Sequence, residues 1–421
     1  MSLKTVIIGQ GYVGLPIAMS AVGAGHLVVG LDSDQRRVDR LNAADSFVED
    51  VSSDVLASAI GTGRYVASMD YGATEGFDVA VITVPTPLRE TLPDLSFIEA
   101  SAASLAPFIR PGCLVVLEST TYPGTTEELL VPILEDGCGL KAGVDFHVGY
   151  SPERIDPGNP TWGFANTPKV IAGVSAASLA AVSAFYAALV ERVVPVKSCK
   201  EAELTKLLEN TFRHVNIALV NELAVFAQQL DIDIWDAIDA AATKPFGFMK
   251  FTPGPGVGGH CLPIDPSYLS WRVKQTLGRP FRFVELANDV NEHMPDYVVT
   301  RLTLLLNDRS KSIRGSRLLL IGLAYKKNSS DARESPAVRI AELLVALGAD
   351  VVAVDPHLDS VPRQLPTVEL RDGKDCAFSG FEAVLVLTDH DQIDYSALGE
   401  QASIILDTRH RMNPSDNVEF L

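Results

Sequence analysis

The hydrophobic positions fall into unbroken runs rather than alternating ones in the first part of the chain. Residues 4–9 (KTVIIG), 27–32 (LVVGLD), 78–84 (DVAVITV) and 113–119 (CLVVLES) are rich in β-branched and other apolar residues. A strand with one wet face alternates with period two, so unbroken apolar runs of this length mark strands buried on both faces. Residues 14–24 are small and apolar, as in a tightly packed helix. Strands of this kind separated by helical patterns predict a parallel sheet with helices on both sides.

The pattern changes at residues 201–230 (EAELTKLLENTFRHVNIALVNELAVFAQQL), which contain no Gly or Pro and keep helical period throughout. About 30 residues at 1.5 Å each give a helix of roughly 45 Å, long enough to join two lobes or to form a dimer interface. A shorter helix follows, and then FTPGPGVGGHCLPIDP (251–266), whose Gly and Pro content predicts a loop whose backbone closely approaches another group. The α/β pattern then restarts. SRLLLIGLAY (316–325), ADVVAVDP (349–356), AVLVLT (383–388) and SIILDT (403–408) read as strands, and SPAVRIAELLVALG (335–348) as a helix. The expected architecture is α/β, with two doubly wound parallel-sheet domains of Rossmann-like type joined by a long central helix and a helical middle domain. The expected boundaries are 1–200, 201–310 and 311–421.

Composition narrows the function. The chain has 421 residues, 47% of them hydrophobic and 21% charged, with a net charge of −18. A nucleic-acid partner is not expected, because phosphate binding needs clustered Lys and Arg. Five cysteines (Cys113, Cys138, Cys199, Cys261 and Cys376) form no close pair of zinc or redox type, so a reduced cytoplasmic protein without a metal is expected. The first residues run directly into a strand and a glycine-rich turn, so no secretory leader is expected, and with no run of about 18 uninterrupted apolar residues no membrane partner is expected.

Gly9-Gln10-Gly11-Tyr12-Val13-Gly14 is a G-x-G-x-x-G between a strand and a helix, and Asp32 ends the next strand. Such glycines permit a tight turn and close approach of backbone to a pyrophosphate at a helix N-terminus. An acidic residue at Asp32 suits the ribose hydroxyls of NAD and repels the extra phosphate of NADP; Arg37 nearby argues the other way. IGLAYK (321–326) holds the equivalent place in the second lobe but lacks the second and third glycines, so no second dinucleotide is expected.

Cys261 lies in Gly258-Gly259-His260-Cys261, just before an expected helix from Asp265. Free cysteines are usually small buried hydrophobes, the reading given to the other four. A loop Cys at a helix N-terminus is instead placed to be a thiolate. His260 is read as structural, because adjacent side chains in extended backbone point apart. Lys206 and Asn210, four apart on the long helix, share a face that Arg213 and His214 extend. That stripe is either a solvated face or the lining of a cleft. Asp265 is equally a general base or a helix-start residue.

At these residues the sequence resembles the UDP-glucose/GDP-mannose dehydrogenase family along nearly its whole length. The matching segments are GQGYVGLP (9–16), PTP (85–87), ESTTYPGTT (118–126), SPER (151–154), EAELTKLLENTFR (201–213), GPGVGGHCLPID (254–265), AYKKNSSDARESP (324–336) and LDTR (406–409). Within the family, residues 242–272 look most like the UDP-N-acetylglucosamine 6-dehydrogenase branch, which makes precursors of surface polysaccharides. Lys250, Thr252 and His214 depart from that branch's pattern.

The resemblance implies NAD as cofactor, a UDP-sugar as substrate, a homodimer through the central helix, and oxidation of C6 to a carboxylate through a cysteine thioester. UDP-N-acetylmannosamine, UDP-N-acetylgalactosamine and UDP-glucose are the alternative sugars. By position, Cys261 is the implied nucleophile, and Lys206 and Asn210 stabilise oxyanions. Asp265 assists proton transfer with a water, and Thr120 and Glu153 hold that water or act in acid–base steps. Glu153, Arg154, Lys206, Asn210, Arg213, Phe251, Gly258, Lys326 and Arg409 are the implied substrate contacts. Gly9, Gly11, Tyr12, Val13, Gly14, Asp32, Arg37, Thr83, Pro85, Thr86, Ser119, Thr120 and Arg333 are the implied cofactor contacts. Two other readings fit parts of the pattern: a two-electron hydroxyacid dehydrogenase of the 6-phosphogluconate type, and a non-catalytic NAD-binding protein. The GGHC loop and second α/β lobe speak against the first. The joint presence of Cys261, Lys206, Asn210 and Asp265 speaks against the second.

Overall fold

A computed structural model describes all residues except 1, 90–91, 156–158, 160, 260–261, 263, 372 and 374–376. The chain divides into two compact units, residues 1–209 with 267–278, and residues 210–266 with 279–421. The expected middle segment, 201–310, is thus shared between them.

The first unit is built on an eight-stranded sheet. Its strands are β1 (Lys4–Ile8), β2 (Leu27–Leu31), β3 (Tyr65–Ser68), β4 (Val79–Ile82), β7 (Leu114–Leu117), β8 (His147–Tyr150), β9 (Lys169–Gly173) and β10 (Val193–Pro195), with a small hairpin of β5 (Leu88–Arg89) and β6 (Leu92–Pro93) standing apart. The sheet order is β10-β9-β8-β7-β4-β1-β2-β3, and all neighbours are parallel except β8 and β9. β1 lies between β2 and β4, so the chain reverses direction across the sheet there, and the ends of β1 and β4 form the switch point where such folds take ligands. Helices α1 (Gly14–Gly23), α2 (Gln35–Asn42), α3 (Ser53–Gly61), α4 (Ser96–Leu105), α5 (Val131–Cys138) and α6 (Ala176–Ala187) connect the strands. Val6, Ile7, Ala80, Val81, Val115 and Val116 are fully buried, as strands covered on both faces require.

Helix α7 (Cys199–Gln229) runs 31 residues, and the boundary between units falls inside it. Helices α8 (Ile234–Ala242), α9 (Asp265–Leu277) and α10 (Arg282–Asn307) follow. The second unit carries a six-stranded, wholly parallel sheet of β11 (Arg317–Ile321), β12 (Asp350–Val354), β13 (Glu369–Arg371), β14 (Ala383–Val386), β15 (Ile405–Asp407) and β16 (Val418–Phe420), with α11 (Pro336–Ala346) and α12 (Tyr395–Gln401). Its order, β13-β12-β11-β14-β15-β16, again puts the first strand beside the second and fourth. Leu318 and Leu320 pack into the core under α10 and α11, whereas Leu319 and Ile321 join a separate core on the opposite face. That two-sided burial is the reason for the unbroken RLLLI run. The expected strand over 316–325 stops at Ile321, because Gly322 turns the backbone to φ +83°.

Candidate active site

The glycine-rich turn after β1 has the shape that its sequence demands. Gly9 sits at φ +95°, and a Cβ on Gly14 would stand 1.8 Å from the Gly9 carbonyl oxygen, so α1 packs against the turn only without a side chain there. A Cβ on Gly11 would meet nothing within 4 Å; that face of the turn is open, as a backbone approached by a pyrophosphate must be. Val13 caps α1 without a side-chain hydrogen bond. Asp32, nearly buried, accepts from the Gln10 and Asp34 N–H groups at 3.1 and 3.0 Å, and Arg37 reaches it at 3.7 Å. The turn and the acidic strand end therefore fit NAD. Thr83 gives its hydroxyl to the Ile8 and Gly9 carbonyls at 2.9 and 2.8 Å, and Ser119 to Val84 O at 2.7 Å. These two hydroxyls brace the turn and the β4–β7 loop edge. Thr86 is buried, and its carbonyl accepts the Tyr268 hydroxyl at 2.5 Å.

In the same unit, Lys206 on α7 donates to the Thr120 hydroxyl beyond β7. Glu153, in the loop after β8, is almost wholly buried and accepts from Ile155 N–H at 2.6 Å. Burial pushes its carboxyl up, but Lys169, the Ile155 N–H and Lys206 outweigh it, and the net displacement is below the usual glutamate range. Arg154 is engaged in a bidentate pair with Glu209 of α7 at 3.2 and 2.6 Å and donates to Pro168 O at 2.6 Å. That clamp fixes α7 one turn from Lys206.

In the second unit, Asn210 Nδ2 donates to Asp265 Oδ2 at 2.6 Å, and Asp265 opens α9 with only 3% of its surface exposed. The structure thus joins two residues that the sequence placed 55 positions apart. Arg213 and His214 diverge from each other, since successive helix positions lie about 100° apart. Arg213 is exposed, while His214 is buried, bonded through Nε2 to Asn288 Oδ1 at 2.7 Å. Phe251 packs edge-on against Phe212, ring centroids 5.7 Å apart.

The backbone of the Gly/Pro-rich loop closely approaches another part of the chain, as its composition predicts. A Cβ on Gly258 would stand 2.7 Å from the Glu334 carbonyl and 2.8 Å from Pro336 and Tyr325, and one on Gly254 would stand 2.8 Å from the Arg409 guanidinium. Arg409 donates to Leu387 O at 2.7 Å. Lys326 is half-buried in the loop after β11, and Arg333 is exposed with a bidentate bond to Asp331. Cys261 and His260 lie outside the described residues. At the turn after β11, the Asp355 carboxylate accepts from the Leu323 and Ala324 N–H groups at 2.8 and 2.9 Å. The first unit's turn is built in the same way, with Asp32 accepting the Gln10 N–H, but Asp355 holds a second amide as well.

Three residues of consequence escaped the sequence reading: Glu118, Lys169 and Tyr186. Lys169 bonds Glu118, which also accepts the Tyr186 hydroxyl, and all three are buried. The only signal was a charge at the end of one apolar strand (LVVLE) and another at the start of a second (KVIAG). Among the described residues, no group of three or more His, Cys, Asp or Glu is placed to hold a metal, and no helix is long and apolar enough to cross a membrane.

Comparison with known proteins agrees with this geometry. Family models of the UDP-glucose/GDP-mannose dehydrogenases match residues 3–190 (NAD binding domain), 200–293 (central domain) and 319–414 (UDP binding domain). The chain is 32% identical to UDP-N-acetyl-D-mannosamine dehydrogenase of Pyrococcus horikoshii, covering 97% of this chain and 96% of the relative. It is 33% identical to NDP-N-acetyl-D-galactosaminuronic acid dehydrogenase of Ralstonia solanacearum, covering 96% and 95%. The solved structure of the Pyrococcus horikoshii enzyme superposes with a TM-score of 0.89 over 99% of this chain and 98% of that one, at 31% identity. A glycine turn open to a pyrophosphate, an acidic strand end and similarity spanning all three domains lead to one conclusion: the chain belongs to the UDP-glucose/GDP-mannose dehydrogenase family and is an NAD-dependent nucleotide-sugar 6-dehydrogenase.

Proposed function

We propose that this enzyme oxidises the C6 hydroxymethyl of a UDP-N-acetylhexosamine to a carboxylate in two steps, with a thioester on Cys261 between them, to supply a uronic acid for surface glycans. UDP-N-acetylmannosamine and UDP-N-acetylgalactosamine take the place of UDP-N-acetylglucosamine, the sugar expected from residues 242–272. The observation that carries this choice is that relatives similar over almost the whole chain are named for mannosamine and galactosaminuronic acid. UDP-glucose remains the fourth sugar to test.

NAD, when bound, accepts hydride from C6. For the first oxidation the hydroxyl proton must leave, and Lys206 or a water on Asp265 is the base. The Cys261 thiolate then adds to the aldehyde carbon, and the carbonyl pair moves onto oxygen. Lys206 and Asn210 stabilise that alkoxide. A carboxamide has two N–H donors, so the bond from Asn210 to Asp265 leaves one for the oxyanion. Loss of the second hydride from C6, for which a second NAD would be the acceptor, gives the thioester. Water, deprotonated with help from Glu153 or Asp265, attacks its carbonyl, expels the thiolate and yields the carboxylate. Arg154, Arg213, Phe251, Gly258, Lys326 and Arg409 are assigned to substrate binding, and Tyr12, Val13, Pro85, Thr86 and Arg333 to cofactor contacts. Domain limits near 200 and 310 remain our assignment. So does a cytoplasmic location.

We also assign a homodimer formed through α7. Leu204, Leu208, Phe212, Leu219, Leu223 and Phe226 are each at least 39% exposed and recur at three-, four- and seven-residue steps, one apolar stripe along the helix.

The test gives the protein excess NAD and a limiting amount of each sugar nucleotide in parallel, counting NADH formed. Two NADH per UDP-N-acetylmannosamine or UDP-N-acetylgalactosamine supports the reading. One NADH per sugar refutes the thioester scheme. Two from UDP-N-acetylglucosamine alone restores the earlier choice of sugar.

A further inference from the structure

Behind Glu153 lies a row of alternating buried charge. Lys169 Nζ, at the start of β9, bonds the Glu118 carboxylate beyond β7, lies 3.4 Å from Glu153 Oε2, and donates to Pro152 O at 3.3 Å. The other Glu153 oxygen takes the Ile155 N–H. Tyr186 of α6 donates to the second Glu118 oxygen, and the Lys169 ammonium sits 5.4 Å from the ring centroids of both Tyr186 and Phe164. Lys206 of α7 acts on Glu153 as well. The Lys169, Glu118 and Glu153 side chains are 5%, 0% and 8% exposed.

Burying such ions is expensive, and a well-packed apolar pair is often as stable. A brace for the sheet therefore does not account for them. Lys169 does more than neutralise Glu118. It holds the backbone before Glu153 and faces one of its carboxylate oxygens, while the Ile155 N–H holds the other.

We propose that Lys169 is the positioning residue for Glu153: a buried ammonium anchored by Glu118 and Tyr186 that keeps the Glu153 carboxylate ionised and fixes its orientation. The role that this serves rests on the reading of Glu153 as an acid–base group. Burial raises Glu118 to about 7 against the pull of Lys169, whereas the net displacement of Glu153 is downward.

The experiment follows the infrared carbonyl band of protonated Glu153, identified as the band that Glu153→Gln removes, as the apo-enzyme is acidified. Lys169→Gln is expected to raise the proton affinity of Glu153 about tenfold or more, the usual effect of removing an adjacent opposite charge. Lys169→Arg should leave it near the wild-type position. Should Lys169→Gln fail to fold, Lys169→Met, uncharged and of similar length, is titrated in its place. Coincident titrations of wild type and the uncharged variant, or an equal displacement in Lys169→Arg, would overturn the proposal. Turnover is measured separately: full activity in Glu153→Gln would remove the acid–base reading of Glu153 and leave the band titration to decide the role of Lys169.

Discussion

Asn210 and Asp265 show how much a single contact changes the reading of a residue. Asp265 is both the first residue of α9 and a buried carboxylate bonded to a carboxamide, so its two readings from sequence are compatible. Lys206 has the Thr120 hydroxyl as one partner, and in its proposed role of oxyanion donor it would be needed mainly after substrate has bound. Lys206→Ala should therefore lower kcat on the order of 10²-fold or more with a much smaller change in KM, as for loss of one oxyanion donor; equal losses in binding and turnover would place Lys206 in substrate binding alone. Cys261→Ser should halt turnover at or before an ester-like adduct while NAD still binds, and wild-type rates in that variant would remove the thioester. Gly258→Ala tests packing: its methyl group meets backbone at Glu334, so the melting temperature should fall, corresponding to about 1–3 kcal/mol for overpacking. An unchanged melting temperature would remove the packing role and leave Gly258 as a substrate contact only.

Helix α7 is held along its length by polar contacts that its sequence disguises. Glu203 accepts from the Gly124 and Thr126 N–H groups at 2.6 and 2.8 Å, and burial raises its carboxyl to about 7. Arg154 clamps Glu209. Farther along, His214 bonds Asn288 of α10, and Asn221 joins Asn291 and the Gly254 N–H, both at 2.9 Å. Burial lowers His214 from its usual 6.5. The unfolded chain thus takes up a proton that the folded one resists: stability is complete above 6.5 and declines as pH falls below it. Urea midpoints at pH 7.5 and 5.5 should show a larger acid loss in wild type than in His214→Gln. Equal losses would mean that His214 titrates alike in both states.

At the scale of the whole molecule, the exposed apolar stripe on α7 asks for a partner surface. Unbroken stripes of Leu and Phe are seldom left in water. Leu219→Glu combined with Phe226→Glu should convert a dimer to monomers by light scattering at micromolar protein. A wild-type protein that is already monomeric, or a double variant that stays dimeric, would place the interface elsewhere or remove it.

The sequence by itself determined the two parallel sheets, the long helix and the cofactor turn. Each depends on local physics: unbroken apolar runs, helical period without breakers, and glycines at positions that tolerate no side chain. It also carried enough long motifs to identify the family, but not the sugar. Tertiary structure alone decided what polar groups do. Glu118, Lys169 and Glu153 lie up to 51 positions apart and meet only because β7, β8 and β9 are neighbours in the sheet. His214 looked like part of a polar stripe until α10 supplied Asn288, and the loop glycines announced a close approach without saying that its partners are Tyr325, Glu334 and Pro336. Periodicity says which face of an element is apolar, but the partner that satisfies a buried polar atom comes from elsewhere in the chain.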